Sequence, residues 1–529
     1  MSKEFDVVVV GAGHNGLVTA GYLAKAGLKV CVVEKNSFPG GSTNTQEVTL
    51  PGFKHDVGAT FHVWIQSNPL IANDELGLIS KFGLEYVTPP AYSSNVFPDG
   101  TALVVYSDVN KTCEEIAQYS PEDAVAYRKF FEKTAPLIPL LQQGMFNPAL
   151  SYGPMMAQFE SFPEGKWLAD CMFKSCWDVA HDWFKHPKTL MKVMKTPTEA
   201  MVAPEEKGTG LLLPLMLTAS HLVPAKMGKG GTVALINALL KCIDFYGGTV
   251  QLNSEVVKIK TSGNKVTGVI LASGEEINAS KAVISNVHPK LSINKWLDSG
   301  LVDDDIRSKV DRIQQASYSG LYIAAAMDKR PEFKAGPNVN DGGFIEFLPD
   351  NLDDFRALYD DLKYGRLPSK ERMSVMVCIP TEFDPSRAPE GKHVLYAWQY
   401  VPYNLADGGP KKWAEVKEGF ADQMMEQFFS YTTNMSEKDI LKRTVLSPVD
   451  LSNMNSSVIE GRVLGAASFL NQQYAYRPIP ELGNYKTPVD EYYLCGQNTH
   501  PGGGVIGGGR AAVQVIAEAL GIDFDDIIS

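Results

Sequence analysis

The sequence contains 529 residues, of which 44% are hydrophobic and 21% are charged, and its formal net charge is −12. A chain of this length exceeds what a single hydrophobic core supports, so we expect two domains or one domain with a large insertion. The negative charge argues against nucleic acid or an anionic membrane as the main partner. The seven cysteines are scattered without a CxxC pair, which predicts a reducing compartment, no disulfide framework and no metal site.

The sequence shows no targeting signal, and we expect a cytoplasmic protein. The first strand is predicted to begin at Phe5, which leaves no room for a cleaved signal peptide. The longest apolar run, 211–217, is far shorter than a bilayer span. An aromatic cluster within 159–183 leaves three roles open, namely helix packing, the lining of a lipophilic tunnel and peripheral contact with a membrane.

The N-terminal region contains every part of a dinucleotide-binding β-α-β unit. Its apolar run, 7–10, predicts a strand that is buried on both faces of a parallel sheet. Gly11 permits a tight turn, Gly13 lets the backbone approach a pyrophosphate, and Gly16 lets the following helix pack on the strand. A second strand ends at Glu34, where a carboxylate accepts hydrogen bonds from a ribose. Together these features predict a bound nucleotide cofactor.

The middle of the chain mixes helical and strand patterns. Residues 120–123, Ser-Pro-Glu-Asp, predict a helix start, because serine caps the first amides and acidic side chains favour the first turn. Gly230 and Gly231 precede a second predicted helix. The strands predicted after this helix are a β-meander, 249–252, 256–259 and 266–271, and a buried strand, 282–286.

The last block, 491–520, repeats the order strand, glycine-rich turn and helix at the opposite end of the chain. We therefore expect an α/β fold in which a Rossmann-type domain is assembled from three segments and carries an inserted α+β substrate domain. The predicted segments of the nucleotide domain are 1–70, 225–290 and 460–529. The inserted domain is predicted to consist of a helical part, 71–224, and a second part, 291–459.

Several motifs are typical of one known family and run the length of the chain. They are Gly-Ala-Gly-His-Asn-Gly-Leu-Val at 11–18, Tyr-Ser-Pro-Glu-Asp-Ala at 119–124, Lys-Gly-Gly-Thr at 229–232, Arg-Pro at 477–478, Tyr-Lys-Thr-Pro at 485–488, and the segment 493–504 that ends in three glycines. With these motifs the sequence resembles the phytoene-desaturase-like FAD oxidoreductases. The resemblance is strongest to the branch with β-carotene-ketolase-like and pyridine-nucleotide-disulfide-oxidoreductase-domain-2-like proteins.

The resemblance implies that FAD lies with its adenosine at the N-terminal fingerprint and its isoalloxazine near the C-terminal glycines. It also implies that the cofactor is non-covalent, because the cysteine available for attachment, Cys495, ends a predicted strand and is expected to be packed. The residues predicted to bind the cofactor are Gly11, Gly13, His14, Asn15, Gly16, Glu34, Lys35, Gly41, Ser42, Val256, Gly496, Gly504 and Val505.

Two side chains are candidates for catalysis. His62 falls where this group often folds against the flavin, and it is predicted to deprotonate a carbon next to a carbonyl; the alternative is a histidine that is simply hydrogen bonded in the interior. Tyr474, together with Tyr476, is predicted to orient a substrate over the flavin, and the alternative is a packed core aromatic.

The first functional hypothesis is a desaturase or oxidase that removes a hydride from a C–H bond of a largely apolar, cyclic or polyene substrate in an elongated cavity. Oxygen or a quinone is the expected electron acceptor, because the sequence lacks a second strand-then-GxGxxG motif for NAD(P). Two alternatives remain at this point: a flavin amine oxidase, and a non-catalytic flavin-binding scaffold or redox sensor.

Overall fold

The computed structural model describes residues 3–529. The strands in this part of the chain are β1 (Lys3–Val10), β2 (Val30–Val33), β3 (Thr45–Gln46), β4 (His55–Asp56), β5 (Tyr86–Val87), β6 (Ala91–Val96), β7 (Ala102–Val105), β8 (Met227–Gly228), β9 (Thr249–Gln251), β10 (Val256–Ser262), β11 (Lys265–Leu271), β12 (Glu276–Ser285), β13 (Ser319–Met327), β14 (Gly342–Phe347), β15 (Met376–Cys378), β16 (His393–Val401), β17 (Ile440–Leu446) and β18 (Tyr492–Leu494).

The helices of the described residues follow the same chain order. They are α1 (His14–Lys25), α2 (Pro69–Ala72), α3 (Val109–Ala117), α4 (Pro121–Thr134), α5 (Ile138–Phe146), α6 (Tyr152–Glu160), α7 (Pro163–Phe173), α8 (Cys176–Trp183), α9 (Pro187–Thr198), α10 (Leu212–Leu222), α11 (Val233–Phe245), α12 (Asp304–Asp311), α13 (Leu352–Lys363), α14 (Trp413–Tyr431), α15 (Pro448–Met454), α16 (Gly509–Ala519) and α17 (Phe524–Ile528).

The first large sheet, sheet I, has the strand order β10–β11–β12–β1–β2–β9, and β18 pairs with the end of β12. β1 lies between β2 and β12 and is parallel to both, and residues 7–10 are almost completely buried, as the apolar run predicted. Strands from 1–70, 225–290 and 460–529 all contribute to sheet I. The α/β class with a Rossmann-type parallel sheet is therefore confirmed, and the particular segment boundaries stay a prediction.

The predicted β-meander was partly wrong. β10, β11 and β12 do form an antiparallel meander. β9, however, pairs in parallel with β2 at the opposite edge of sheet I, with Val250 beside Val32. A turn in which Asn253 adopts φ 52° lies between β9 and β10, so consecutive strands in the sequence belong to opposite edges of the sheet.

The second large sheet, sheet II, has the strand order β17–β13–β16–β15–β14–β6–β7. The segment 71–224 was predicted to be helical, yet it supplies the adjacent strands β6 and β7. These strands form a hairpin around Gly100, whose φ is +81°, and β6 also pairs in parallel with β14 from the segment 291–459. Sheet II therefore joins the two parts of the inserted domain through backbone hydrogen bonds.

Helices cover both faces of sheet II. The helices between α4 and α10 pack on one face, where Met191 and Met194 share a buried cluster with Trp398. α14 covers the other face with Trp413 and Met424. α4 begins as predicted, because the Ser120 hydroxyl accepts a hydrogen bond from the Asp123 amide at 3.1 Å. Within residues 3–529, none of the helices has the length and apolar character needed to cross a membrane.

Candidate active site

A cleft of about 150 Å³ lies where β1 and β2 end and the glycine-rich turn begins. Ligands of open parallel sheets bind at these carboxyl ends, so the location fits the predicted dinucleotide site. Asn286 and Gln497 contribute to the cleft from beyond the ends of β12 and β18. The predicted cofactor-binding residues that line the cleft are Gly11, Gly13, His14, Asn15, Glu34, Lys35, Gly41, Ser42 and Val256.

The fingerprint glycines are required by close contacts around Asn286. A Cβ atom on Gly13 would lie 2.6 Å from Nδ2 of Asn286, and a Cβ atom on Gly16 would lie 2.4 Å from the carbonyl oxygen of Gly11. Gly11 adopts φ +96°, a conformation that favours glycine. Gly16 is not part of the cleft lining, and the close packing of α1 against the turn accounts for it.

Glu34 is held in a fixed position by the backbone. Its Oε2 accepts a hydrogen bond from the Ala12 amide at 2.9 Å, and its Oε1 accepts one from the Asn36 amide at 2.9 Å. A carboxylate has about four acceptor positions, so oxygen lone pairs remain available for ribose hydroxyls. The geometry therefore agrees with the predicted role of this acid.

Two buried polar atoms of the cleft have no hydrogen-bond partner within residues 3–529. They are Nε2 of His14 and Oδ1 of Asn15. Burial lowers the pKa of His14 to about 4, so its ring is neutral near pH 7. A buried polar atom without a partner costs about 1–3 kcal/mol, which a bound polar ligand would offset. These atoms and the open glycine backbone fit a dinucleotide cofactor.

The C-terminal glycine-rich turn lies at a second, larger cavity, and Gly502, Gly504 and Val505 line it. Gly496, which was predicted to contact the cofactor, lines neither this cavity nor the cleft. A Cβ atom on Gly496 would lie 2.6 Å from the carbonyl oxygen of Asn286, so tight backbone packing explains this glycine. That prediction is corrected, and its neighbour Gln497 faces both spaces instead.

Arg477 holds the C-terminal turn from within. Its side chain is buried and donates hydrogen bonds to the carbonyl oxygens of Ala466, Gln497 and Thr499. Sequence reasoning marked Arg477 only as part of a family motif, because nothing local to it in the chain indicates these distant acceptors.

Cys495 lies in the hydrophobic core of sheet I and is completely buried. Burial raises the pKa of its thiol to about 12, so the thiolate that a covalent attachment would need is disfavoured. The expectation that this cysteine is packed is confirmed, and non-covalent binding of the cofactor stays a prediction.

The larger cavity has a volume of about 590 Å³ and lies between sheet II, the helices α5–α10 and the C-terminal glycines. His14, Ser42 and Gln497 line both this cavity and the nucleotide cleft, so the two spaces adjoin. Most of its lining is apolar. Representative apolar residues are Leu140, Leu141, Met155, Phe159, Met172, Leu211, Leu215, Phe344, Met376, Trp398 and Leu464.

The two candidate tyrosines have different positions. Tyr474 lines the cavity, packs edge-to-face on Tyr152 at 5.9 Å between ring centroids, and has a pKa raised to about 12 by burial. Tyr476 is 42% exposed and does not line the cavity, so its predicted role in orienting a substrate was wrong. The difference arises because the chain turns between them, where Tyr474 adopts φ 54°.

His62 does not reach the cavity, and its predicted catalytic role was wrong. Its ring is completely buried, with Nε2 at 2.6 Å from the Thr232 hydroxyl and Nδ1 at 3.1 Å from the Tyr86 hydroxyl. The neighbours Phe61 and Val63 line the cavity, so the backbone passes the site while the imidazole points away from it. Burial lowers the pKa of His62 to about 4.

The sequence comparisons agree with this geometry. The family described as "Flavin containing amine oxidoreductase" matches residues 16–516. The chain belongs to this family. It is 29% identical to pyridine nucleotide-disulfide oxidoreductase domain-containing protein 2 of Rattus norvegicus, over 98% of this chain and 94% of that protein. It is 26% identical to a limonene dehydrogenase protein of Castellaniella defragrans, over 98% of this chain and 96% of that protein.

A solved structure shows the same fold. An oxidoreductase from Methanosarcina mazei is 20% identical, with a TM-score of 0.60 over 97% of this chain and 99% of that one. The predicted membership among phytoene-desaturase-like proteins is confirmed. The family member is an FAD-dependent oxidoreductase, and FAD is its cofactor.

Sequence reasoning missed the charged residues of the cavity. Lys192, Glu199 and Glu346 line it although they come from distant parts of the chain. In α9, lysines at 188, 192 and 195 alternate with apolar residues, a pattern typical of a solvent-facing helix surface. The burial of Lys192 therefore has no signal in the local sequence.

Proposed function

We propose that the protein is an FAD-dependent desaturase or oxidase that removes a hydride from a C–H bond of a largely apolar substrate. The observation that carries this proposal is the cavity of about 590 Å³ with its mostly apolar lining. Burying apolar surface contributes about 25 cal/mol per Å², so such a lining favours a ligand with an apolar body. The cavity also reaches the glycine turn, 502–505, to which the family resemblance assigns the isoalloxazine.

Bound FAD supplies the hydride acceptor for this chemistry. The residues of the chain bind and orient the reactants: Glu34 accepts ribose hydroxyls, and the N-terminal amides of α1 face the pyrophosphate. α16 begins just after the second glycine turn, and the partial positive charge of its N-terminus favours negative charge nearby. Tyr474 is proposed to orient the substrate, and the apolar walls exclude water from the reacting carbon.

The similarity to a limonene dehydrogenase supports this substrate class, because limonene is an apolar cyclic hydrocarbon. Oxygen or a quinone is proposed as the electron acceptor, since the other glycine turn, 228–231, lies between β8 and α11 and does not follow a parallel strand. Amine oxidation is the second candidate, favoured by the carboxylate of Glu199 in the cavity lining.

We further propose that the protein is cytoplasmic and takes up its substrate at a membrane surface. Leu150 supports this, because it lines the cavity and is 53% exposed, which places it at the mouth. Phe173, at the end of α7, is 62% exposed as well. Large exposed apolar side chains at a cavity mouth are typical of proteins that collect ligands from lipid.

Anaerobic mixing of the purified yellow protein with candidate substrates tests the proposed reaction. We expect apolar terpenoid compounds to bleach the visible flavin absorbance, and oxygen or a soluble quinone, admitted afterwards, to restore it faster than NAD(P)+ does. Bleaching by small primary amines and by none of the apolar compounds would instead establish the amine oxidase alternative.

A further inference from the structure

The apolar cavity contains one polar region, which we name the polar wall. It consists of side chains from β6, α9, β14 and β16, so it lies where α9 packs against the face of sheet II. The residues of the polar wall, all of which line the cavity, are Tyr92, Ser93, Lys192, Thr196, Glu199, Glu346 and Tyr400.

The charges behind and within the polar wall balance. Lys195 Nζ lies 3.0 Å from Oε1 of Glu346 and also contacts Glu199, while Lys192 Nζ lies 3.9 Å from Oε2 of Glu346. Two ammonium groups thus face two carboxylates. Burial opposes ionisation of Glu346, yet the two ammonium groups lower its pKa overall. The polar wall therefore has no net charge to offer a ligand.

Most polar groups of the wall already have partners. Lys192 donates hydrogen bonds to the hydroxyls of Ser93 and Thr196, each at 3.1 Å. Oε1 of Glu199 accepts from Lys195 and, at 2.6 Å, from the Tyr400 hydroxyl. These contacts fix the Glu199 carboxylate, whose side chain remains 36% accessible, whereas Lys192 is only 4% accessible.

Two polar positions of the wall are left for a ligand. Within residues 3–529, no hydrogen bond reaches Oε2 of Glu199 or the hydroxyl of Tyr92. The phenol of Tyr92 is buried and close enough to the carboxylates for burial, Glu199 and Glu346 together to raise its pKa. The phenol is therefore a neutral donor, and the Glu199 oxygen is an acceptor.

We propose that the polar wall binds a hydroxyl group at one end of an otherwise apolar substrate, with Glu199 accepting its hydrogen bond and Tyr92 donating one to its oxygen. A hydroxyl is both donor and acceptor and is uncharged. An ammonium group would add an unbalanced positive charge to a neutral cluster, and a carboxylate would face Glu199. A hydrocarbon would leave both positions without a partner. The proposal rests on the proposed function and narrows its substrate to apolar alcohols.

The test compares three probes with one carbon skeleton: farnesol, the hydrocarbon in which hydrogen replaces the hydroxyl, and the corresponding primary amine. Binding to the holoenzyme is measured from the change in the flavin absorbance spectrum, and reduction is measured separately under anaerobic conditions. We expect farnesol to bind at least tenfold more tightly than either analogue, because it alone satisfies both positions.

Tyr92→Phe removes only the phenolic oxygen, and we expect it to reduce farnesol affinity about tenfold while leaving hydrocarbon affinity unchanged. Glu199→Gln keeps the shape of the side chain and should weaken farnesol binding as well. Tyr364→Phe is the matched control, because Tyr364 is 60% exposed and lies outside the cavity.

Equal binding of all three probes, tightest binding of the amine, no binding of any probe, or an unaltered preference in Tyr92→Phe would each overturn the proposal. These results are independent of the reaction itself. Selective farnesol binding without flavin reduction would support the polar wall and count against the proposed function. Reduction by alcohol and hydrocarbon alike, with equal affinities, would support the function and overturn the polar wall.

Discussion

Asp56 and Arg387 form an ion pair with 2.8 Å between Oδ2 and Nη2, and neither side chain has any solvent access. Asp56 belongs to β4 near the N-terminus, whereas Arg387 comes from the segment 291–459, so the pair ties the nucleotide-binding part to the inserted domain. Asp56 also accepts hydrogen bonds from the hydroxyls of Thr45 and Thr60, each at 2.7 Å. Thr60 lines the large cavity, which places this network directly behind the candidate active site.

Arg387→Ala should lower the free energy of unfolding by about 3–5 kcal/mol, because it leaves the buried Asp56 carboxylate without its counter-charge. The melting temperature of the purified holoprotein measures the effect. Lys370→Ala is the control, since the Lys370–Glu426 pair is 55% and 58% exposed and should contribute little. Equal melting temperatures for the two variants would show that the buried pair does not stabilise the fold.

Gly13→Val should abolish FAD binding, because its Cβ would lie 2.6 Å from Asn286 Nδ2 and its methyl groups would fill the cleft. Glu34→Ala should weaken binding by about 1.5–3 kcal/mol through the loss of charge-assisted ribose hydrogen bonds. The flavin-to-protein absorbance ratio measures both, and free FAD should be released on acid denaturation. Gly153→Ala, where a Cβ would meet nothing within 4 Å, is the control. Full FAD content in both cleft variants would contradict the assignment of the cleft.

The nucleotide-binding part of the fold was predictable from the sequence because its signals are local. Residues 7–10, the fingerprint glycines and Glu34 are close in sequence, and each has one physical requirement that the structure meets. The edge position of β9 was not predictable, since a strand of three residues carries no information about which partner it joins.

The catalytic candidates and the cavity charges depended on contacts between distant segments. His62 and Tyr474 are both polar aromatics beside family motifs, yet a backbone direction decides that one is buried away from the cavity and the other lines it. Lys192 and Lys195 lie on what reads as a solvent-facing surface of α9. They are buried because Glu346, on a strand of sheet II, provides their counter-charge.

The stability of the protein should decrease as the pH falls from 6.5 toward 4, partly through His62. Its pKa is about 4 in the folded protein and 6.5 when unperturbed, so in this window the unfolded chain binds more protons than the native state. That proton uptake favours unfolding, and the contribution of His62 is fully present above pH 6.5. Melting temperatures between pH 4 and pH 8 measure the slope.

His62→Gln should flatten this pH dependence without adding or removing an inflection in the pH profile of flavin reduction. His181→Gln is the control, because His181 lies on an exposed part of α8. A reduction profile that loses an inflection in His62→Gln would make His62 a catalytic residue after all.

Leu150→Asp should weaken binding to neutral phosphatidylcholine vesicles, because it places a charge at the exposed cavity mouth. Co-sedimentation with vesicles measures the bound fraction. Val125→Asp is the matched control, since Val125 is 55% exposed on α4 and does not line the cavity. If the wild-type protein and both variants stay in the supernatant, uptake at a membrane surface is excluded as proposed.

Tyr474→Phe should slow reduction of the bound flavin by an active substrate about tenfold while leaving FAD content unchanged. Tyr474 lines the large cavity and not the nucleotide cleft, so the loss of its hydroxyl affects substrate orientation alone. A hydrogen bond to a ligand contributes roughly 0.5–1.5 kcal/mol, which corresponds to up to about a tenfold change in rate. Stopped-flow absorbance measures the rate constant under anaerobic conditions. Tyr476→Phe, two residues further along and 42% exposed, should reduce at the wild-type rate. Equal rates in the two variants would show that Tyr474 only packs against Tyr152 and does not orient the substrate.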